Sequence, residues 1–401
     1  MVTFVLTTLP GLEAICAADA VDLGARQAVR LAPGYVRVEA DAAFTWRANH
    51  AHPTAMRVLR FVGEGVADSL ATLTRSAADV AWENHFDVTT AFAAAVTRLG
   101  EQPYRTLEAA AAIGMGVSAR FHQAAGAWPR VDLKASPIVV RVLIVDEVAH
   151  FLVDLTGRRG LDKRAWRVAD HPAPLASILA SAMVRQAAWP NNGRAGVDGV
   201  RGATIGTSSG GLLLDPLCGS ATILIEADHR ARQRAVNLGR REFAFTHHLA
   251  HASEQAMDAW QAARDRLACN TSDRAGALMG NERDPARHAG ALRNAAAAHL
   301  DPRRTAWRCG DFATLTRTDI GSDLDAVVTN PPWGHRMTSK KVSNRIFLQL
   351  QQQLDRWQPR RAVILVGDER FENLAPHREP TEVNVVRYGT TACRLVTYEW
   401  P

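Results

Sequence analysis

Two short stretches of this chain carry residue types that could do chemistry together. In Asn330-Pro331-Pro332-Trp333, an aliphatic run ends in an amide, two prolines and an indole. In residues 212–222 (LLLDPLCGSAT), an apolar run ends in Asp215 and a turn of small residues around Gly219. The first stretch suits an exocyclic aromatic amine attacking an electrophilic methyl group. The lone pair of such an amine is delocalised into its ring, so a catalyst must orient the amine and accept its protons. The side-chain oxygen of Asn330 can accept one, and the Pro331 carbonyl, on a backbone fixed by proline, the other. Trp333 offers a plane for base stacking, a contact worth ~1–3 kcal/mol. No nucleophilic cysteine is needed, because in-line placement beside an activated sulfonium would supply most of the rate. A Pro-Pro turn with a core indole would use the same four residues without chemistry.

The second stretch reads as strand, loop and helix. Gly219 lets the backbone pass close to a ligand that the helix amino end faces. It is neither the G-x-G-x-x-G of a dinucleotide site nor the G-x-x-x-x-G-K-[ST] of an ATP-hydrolysing loop. Beyond an expected strand at 275–280 stand Glu282 and Asp284. An acid placed there can accept both hydroxyl protons of a ribose. The interval from Gly219 exceeds the usual twenty or so residues because 240–270 are inserted. Asp311, after a short strand at 305–308, could accept a proton from an adenine amine, with Phe312 or Leu217 packed on the ring. A turn cap is the alternative reading of Asp311.

These stretches need a scaffold, and 401 residues are enough for two or three domains. The pattern predicts strands at 2–7, 28–31, 35–39 and 56–61 with helices at 11–20 and 41–50, a small α+β unit. A strand at 86–98, a helix at 104–122 and a strand pair at 137–146 and 150–155 follow. From residue 175 a helix, a polar loop at 190–211 and strands near 212, 275–280, 305–308, 326–330 and 362–366 alternate with helices. A hairpin at 384–388 and 392–398 closes an α/β, mostly parallel, doubly wound sheet. Net charge is +6, and only four of the 47 basic residues are lysines. Arginine gives bidentate phosphate contacts that lysine does not, and the run at 162–167 (DKRAWR) has the look of a phosphate-contacting surface. Five scattered cysteines without a C-x-x-C pair suggest neither a disulfide framework nor a zinc site, and no metal is expected. The start lacks a cleavage signal, and Pro10, Gly11 and Glu13 interrupt it too early for a membrane span, so a cytoplasmic monomer is expected.

DPLCGSATILIEA resembles the motif DPxCGSGTxxIEA, NPPWG resembles NPPYG, and FLVDLTGRRGLDKRAWR…HPAPL resembles the linker of one family. The chain is similar to the THUMP-containing class I, Rossmann-like methyltransferases that modify guanosine N2 in structured RNA, among them the tRNA m2G6 and 23S rRNA m2G enzymes. The resemblance implies a ferredoxin-like domain over 1–62, an RNA-binding THUMP domain over 63–156, a linker over 157–174 and a methyltransferase domain over 175–401. It implies S-adenosylmethionine as cofactor, leaving as S-adenosylhomocysteine. Asp215, Leu217, Cys218, Gly219, Ser220 and Thr222 would line it, with Glu282 on the ribose, Asp311 and Phe312 at the adenine, and Asn330 between cofactor and base. Asn330, Pro331, Pro332 and Trp333 would be catalytic. Four positions depart from the family: Ala221 for Gly, tolerable if already helical, Glu282 for Asp, Trp333 for Tyr, and His335 for Glu. The strand at 86–98 lacks paired arginines, so RNA contacts fall to Arg98, Arg105, Arg120, Lys163, Arg164 and Arg167. The expected substrate is a guanosine of the tRNA acceptor stem, as part of tRNA processing. The alternatives are 23S rRNA guanosine N2, DNA or RNA adenine N6, and an RNA-binding protein without turnover.

Overall fold

In the amino-terminal part the central strand β1 (Val2–Thr7) sends Phe4 and Leu6 into one apolar cluster and Val5 into another, so both sheet faces are covered. The computed structural model describes residues 1–169, 174–190, 211–251, 253–269, 276–321, 324–333, 339–374 and 378–401. Most of the expected loop at 190–211, and His335, lie outside the described residues. The chain forms two compact units: 1–8, 16–163 and 237–267 make one, and 9–15, 164–236 and 268–401 the other.

The first unit is built on a seven-stranded sheet. Its order is β2 (Gln27–Ala32), β3 (Tyr35–Ala40), β1, β4 (Arg57–Val66), β7 (Val148–Asp154), β6 (Ile138–Val145) and β5 (Phe92–Leu99), with only β5 and β6 parallel. Helices α1 (Glu13–Asp22), α2 (Phe44–Ala51), α3 (Leu70–Asp79) and α4 (Thr106–Ala125) complete the two α+β modules. The strand expected at 86–98 starts only at Phe92. Trp82 and Phe86 instead fill the core, where the Trp82 indole N–H donates to the Ala77 carbonyl at 2.7 Å. Sequence periodicity missed α3, whose start is fixed by Ser69 and Thr72 in a reciprocal cap.

The second unit also has a seven-stranded sheet. It runs β10 (Thr305–Cys309), β9 (Ala277–Glu282), β8 (Leu212–Asp215), β11 (Leu324–Thr329), β12 (Arg361–Val366), β14 (Thr391–Glu399) and β13 (Glu382–Tyr388). The first five are parallel, and β14 lies antiparallel to β12 and β13. All four residues of β8 are buried, as a central strand of a doubly covered sheet must be. Helices α5 (Ser177–Gln186), α6 (Thr222–Ala231), α8 (Pro285–Ala297), α9 (Arg317–Ile320), α10 (Lys340–Trp357) and α11 (Arg370–Asn373) belong to this unit, whereas α7 (Glu254–Cys269) lies almost wholly in the first. α10 starts at a Ser339 cap and buries Phe347, Leu350, Leu354 and Trp357 along one face. Winding reverses direction between β8 and β11, so the crevice for a ligand opens at their carboxyl ends.

The insertion explains itself by where it packs. Residues 237–267 fold with the first unit, where Phe243, Phe245 and Ala263 join the cluster around Phe4 and Phe44. The Phe245 N–H donates to the Leu155 carbonyl at 3.0 Å, and the Trp260 indole donates to His50 Nε2 at 2.9 Å. Among the described residues no helix is long and apolar enough to cross a membrane.

Candidate active site

Asp215 ends β8, buried to 1% exposure, and its Oδ1 accepts from Thr329 Oγ1 at 2.8 Å and from the Leu217 N–H at 3.2 Å. Thr329 is the last residue of β11, so this one bond ties the two strand ends at the switch point together. Burial pushes the Asp215 carboxyl up to about 7, against the opposing pull of the two hydrogen bonds. The turn after it is held from three sides. The Cys218 N–H donates to the Asn281 carbonyl at 2.9 Å, and the Gly219 N–H to Glu282 Oε2 at 3.1 Å. Asn281 Nδ2 donates to the Pro216 and Gly310 carbonyls, both at 3.0 Å, bridging the loops after β8 and β10. Asn281 was not singled out by sequence; its signal was an amide inside an otherwise apolar strand. Cys218 is buried and its thiol is pushed well above its usual value, chiefly by desolvation, which disfavours the thiolate.

Ala221 corrects one expectation. It is not helical: it precedes α6 at φ +65°, in the left-handed region that glycine favours. Asp284 caps α8, accepting from the Ala286 and Arg287 N–H groups, and Asp311 Oδ1 accepts from Ala313 N–H at 3.0 Å as a turn cap. Phe312 is buried at 4% in the core beneath that turn, with half-buried Leu217 packed against the same cluster. Gln353 of α10 holds the turn by donating to the Phe312, Ala313 and Leu315 carbonyls.

Asn330 follows β11 directly, and its Oδ1 is buried with no hydrogen-bond partner among the described residues. Leaving such an acceptor unpaired costs about 1–3 kcal/mol, so it marks a place where a ligand donor fits. The residues after it are clamped. Ser343 Oγ donates to the Pro332 carbonyl in a short bond, and Arg370 Nη2 donates to the Trp333 carbonyl at 2.6 Å. Arg370 is itself held by Asp368 and by Asn344 Oδ1. The Trp333 indole N–H donates to the Leu365 carbonyl at 3.0 Å, and the ring lies over Gly367, where an added Cβ would meet it at 3.1 Å. Nothing in the local sequence of Ser343, Gly367 or Arg370 signals this role, since each meets the loop only through folding.

The basic run of the linker takes a different part from the expected one. Arg164 is fully buried and pairs with the equally buried Glu226 of α6 at 3.0 and 3.2 Å, so it reaches no phosphate. Arg167 donates to Ser220 Oγ at 3.3 Å, Thr222 Oγ1 at 3.2 Å and the Leu175 carbonyl at 3.0 Å, bracing the Gly219 turn. Asn294 of α8 adds a second brace, donating to the Ser220 carbonyl at 3.1 Å while accepting from the Val168 and Ala169 N–H groups. In the first unit Arg98 is engaged with Thr106 and the Tyr104 carbonyl, and Arg120 with Glu83 through both carboxylate oxygens. Arg105 and Lys163 are exposed.

Known proteins carry the same parts in the same order. Residues 3–59 match the RlmL ferredoxin-like domain, 67–154 the THUMP domain and 203–396 the RMKL-like methyltransferase domain. A tRNA (guanine(6)-N2)-methyltransferase of Archaeoglobus fulgidus is 28% identical over 99% of this chain and 92% of its own length. Ribosomal RNA large subunit methyltransferase K/L of Syntrophotalea carbinolica is 26% identical over 86% of this chain, which spans only 46% of that longer protein. The structure of SMU.472 complexed with SAH shares the fold, with a TM-score of 0.80 and 18% identity over 100% of this chain and 98% of that one. With all three domains matched in order and the acid, the Gly turn and Asn-Pro-Pro-Trp at the switch point of the third, the chain carries the ferredoxin-like, THUMP and methyltransferase domains of the THUMP-containing methyltransferases.

Proposed function

We propose that this protein transfers a methyl group from S-adenosylmethionine to the exocyclic N2 of a guanosine in structured RNA, and that the substrate is a tRNA acceptor stem. The observation that carries the reading is the buried Oδ1 of Asn330, unpaired among the described residues, beside the Asp215–Thr329 bond. An amine that loses its lone pair to a methyl group builds positive charge, and an acceptor fixed in advance stabilises that charge. Asn330 accepts one N–H and the Pro331 carbonyl the other. Trp333, fixed through its indole N–H and its carbonyl, holds the base. Asp215, Leu217, Cys218, Gly219, Ser220, Thr222 and Glu282 hold the cofactor, with Asp311 and Phe312 at its adenine; the donor set is acidic, as a sulfonium bearing an ammonium requires. When bound, the cofactor supplies the activated methyl group. The tRNA assignment leans on the archaeal relative, which this chain matches over nearly its full length.

Incubation with labelled S-adenosylmethionine and separate tRNA and rRNA pools, followed by nucleoside mass spectrometry, tests the reading. N2-methylguanosine in tRNA is expected. N6-methyladenosine in its place would overturn the base assignment, and label confined to rRNA would overturn the substrate. Asn330→Ala should bind cofactor normally and slow single-turnover transfer ~10²-fold or more. A folded N330A protein turning over at the wild-type rate would remove Asn330 from the reaction.

A further inference from the structure

Just beyond β7, residues 155–163 (LTGRRGLDK) wrap a pocket of about 490 Å³ in the first unit, lined by Met56, Arg57, Arg158, Arg159, Asp162 and Lys163. Its walls are charged, and the charges do not balance. Arg57 Nη1 donates to Asp154 Oδ2 at 2.7 Å and to the Gly157 carbonyl at 2.5 Å. The same fully buried Asp154 oxygen accepts from Arg141 Nε at 2.7 Å, so one carboxylate serves two guanidinium groups. Arg240 closes the back of the turn, donating to the Thr156 carbonyl at 2.8 Å, while Lys163 pairs with Asp162 at 3.0 Å. Arg158 and Arg159 are exposed, and neither carries an ion pair among the described residues. Arg57, Arg141, Arg158, Arg159, Lys163 and Arg240 thus stand against Asp154, Asp162 and Glu242, six cations against three carboxylates. Burial first, and then the charge of Arg159, pull the Arg240 guanidinium below its usual value, while Asp154 and Glu242 oppose the shift.

The backbone that carries the two uncommitted arginines is fixed. Gly157 has φ +96°, and a Cβ there would come within 3.2 Å of the Ala244 nitrogen. At Gly160 a Cβ would meet Asp162 Oδ1 at 2.4 Å, and the Leu161 N–H donates to the Met56 carbonyl at 2.8 Å. A turn pinned on both sides presents Arg158 and Arg159 in one place, and it leaves a net positive concavity with a single apolar lining residue. Guanidinium forks suit the tetrahedral oxygens of a phosphate, and they read no base.

We infer that this pocket is an anchor for a backbone phosphodiester of the RNA substrate, held by Arg158 and Arg159 over the fixed Arg57 and beside Lys163. The inference rests on the RNA reading given above and adds a contact site to it. It also moves the expected phosphate contact from the second half of the basic run to the turn that precedes it.

Filter binding of full-length protein to its methyl-accepting RNA between 50 and 200 mM salt tests the anchor. The R158A/R159A variant should bind at least about tenfold more weakly at low salt, with the slope of log K against log salt reduced by about 1.4 to 1.8 for two lost contacts. R158K/R159K should keep most of the slope, and each single alanine variant should lose about half of the difference. S-adenosylmethionine affinity and the single-turnover rate at saturating RNA should stay at wild-type values. Millimolar inorganic phosphate should weaken RNA binding to wild-type protein more than chloride of equal ionic strength does, and should lose that advantage against R158A/R159A. A phosphate effect of equal size on both proteins would overturn the inference. So would a wild-type slope in R158A/R159A protein that still methylates RNA. A wild-type protein that binds RNA with the predicted slope but never methylates guanosine N2 would overturn the proposed reaction and leave the anchor standing.

Discussion

Two stretches, one in each unit, use arginine in opposite ways. In the second, Arg164 neutralises Glu226 inside the core, Arg167 braces the cofactor turn, and Arg370 grips the carbonyl of Trp333. In the first, the turn at 157–160 holds its backbone rigid and leaves Arg158 and Arg159 in solvent without carboxylate partners among the described residues. The boundary between the units falls between Lys163 and Arg164, through the middle of a run that looks uniformly basic in sequence. Charge alone therefore says nothing about whether an arginine meets protein or nucleic acid; the supply of nearby carboxylates decides.

The sharpest way to break this contrast is to remove one arginine of each kind and measure stability. Arg164→Ala leaves Glu226 charged and buried without its guanidinium, and an uncompensated buried charge of that sort costs about 3–5 kcal/mol. Urea unfolding should register that loss, and Arg164→Met combined with Glu226→Leu should recover most of it. The R158A/R159A protein should unfold within about 0.5 kcal/mol of wild type, as exposed substitutions do. Equal losses in the two proteins would erase the distinction drawn between the stretches.

Asp215 gives the second test, because it is the acid of the site whose carboxyl burial pushes up toward neutrality. Its folded value of about 7 lies above the ordinary 3.8, so the folded protein retains a proton that the unfolded chain has released. The stabilisation tied to that proton is complete below about pH 4, declines as pH rises toward 7 and is gone above it. The slope can reach about 1.4 kcal/mol per pH unit. Unfolding midpoints of wild type and Asp215→Asn at pH 5, 6, 7 and 8 should therefore converge or cross, with the asparagine variant lacking the decline. A parallel pH dependence in the two proteins would show that Asp215 is ionised throughout.

A third, smaller effect separates bracing from binding at the cofactor turn. Arg167 touches Ser220 and Thr222 rather than the reacting centre, so Arg167→Ala should raise KM for S-adenosylmethionine about tenfold. Its kcat should stay near wild type, the pattern of a loss shared by ground state and transition state. Arg167→Lys should recover part of the affinity. A fall in kcat at unchanged KM would place the guanidinium in the reaction itself.

How much of this could be read from the sequence follows from the range of each interaction. β1 was placed residue for residue, and the Gly219 turn, Glu282 and Asn-Pro-Pro-Trp stand at strand ends, because strand exits and small-residue turns are written locally. Arg164 and Arg167 were misread because their partners Glu226, Ser220 and Thr222 lie more than fifty residues on. The 237–267 insertion could not be assigned either, since Phe243 and Phe245 find their core against strands at the other end of the chain. α3 escaped because LATLTRSAAD has two buried apolar positions and relies on the Ser69–Thr72 cap for its start. Ala221 shows the converse: the substitution was visible, but its strained backbone was not.

Ala221 supplies the mildest test and the one that touches the cofactor turn without removing any hydrogen bond. At φ +65° an alanine Cβ crowds its own backbone, a strain of about 1–2 kcal/mol that glycine avoids. Glycine also gives the unfolded chain more freedom, which offsets up to about 1 kcal/mol of that gain. The net expectation for Ala221→Gly is a stabilisation of about 0.5–1 kcal/mol, read as a rise in urea midpoint at constant m-value. The turn's bonds to Glu282 and Asn281 come from residues 218 and 219 and should persist, so S-adenosylmethionine affinity should change by less than about threefold. A destabilised A221G protein would mean that the alanine methyl, fully buried here, contributes more packing than its backbone loses in strain. In that case the departure from the family glycine is a compensated exchange rather than a tolerated defect.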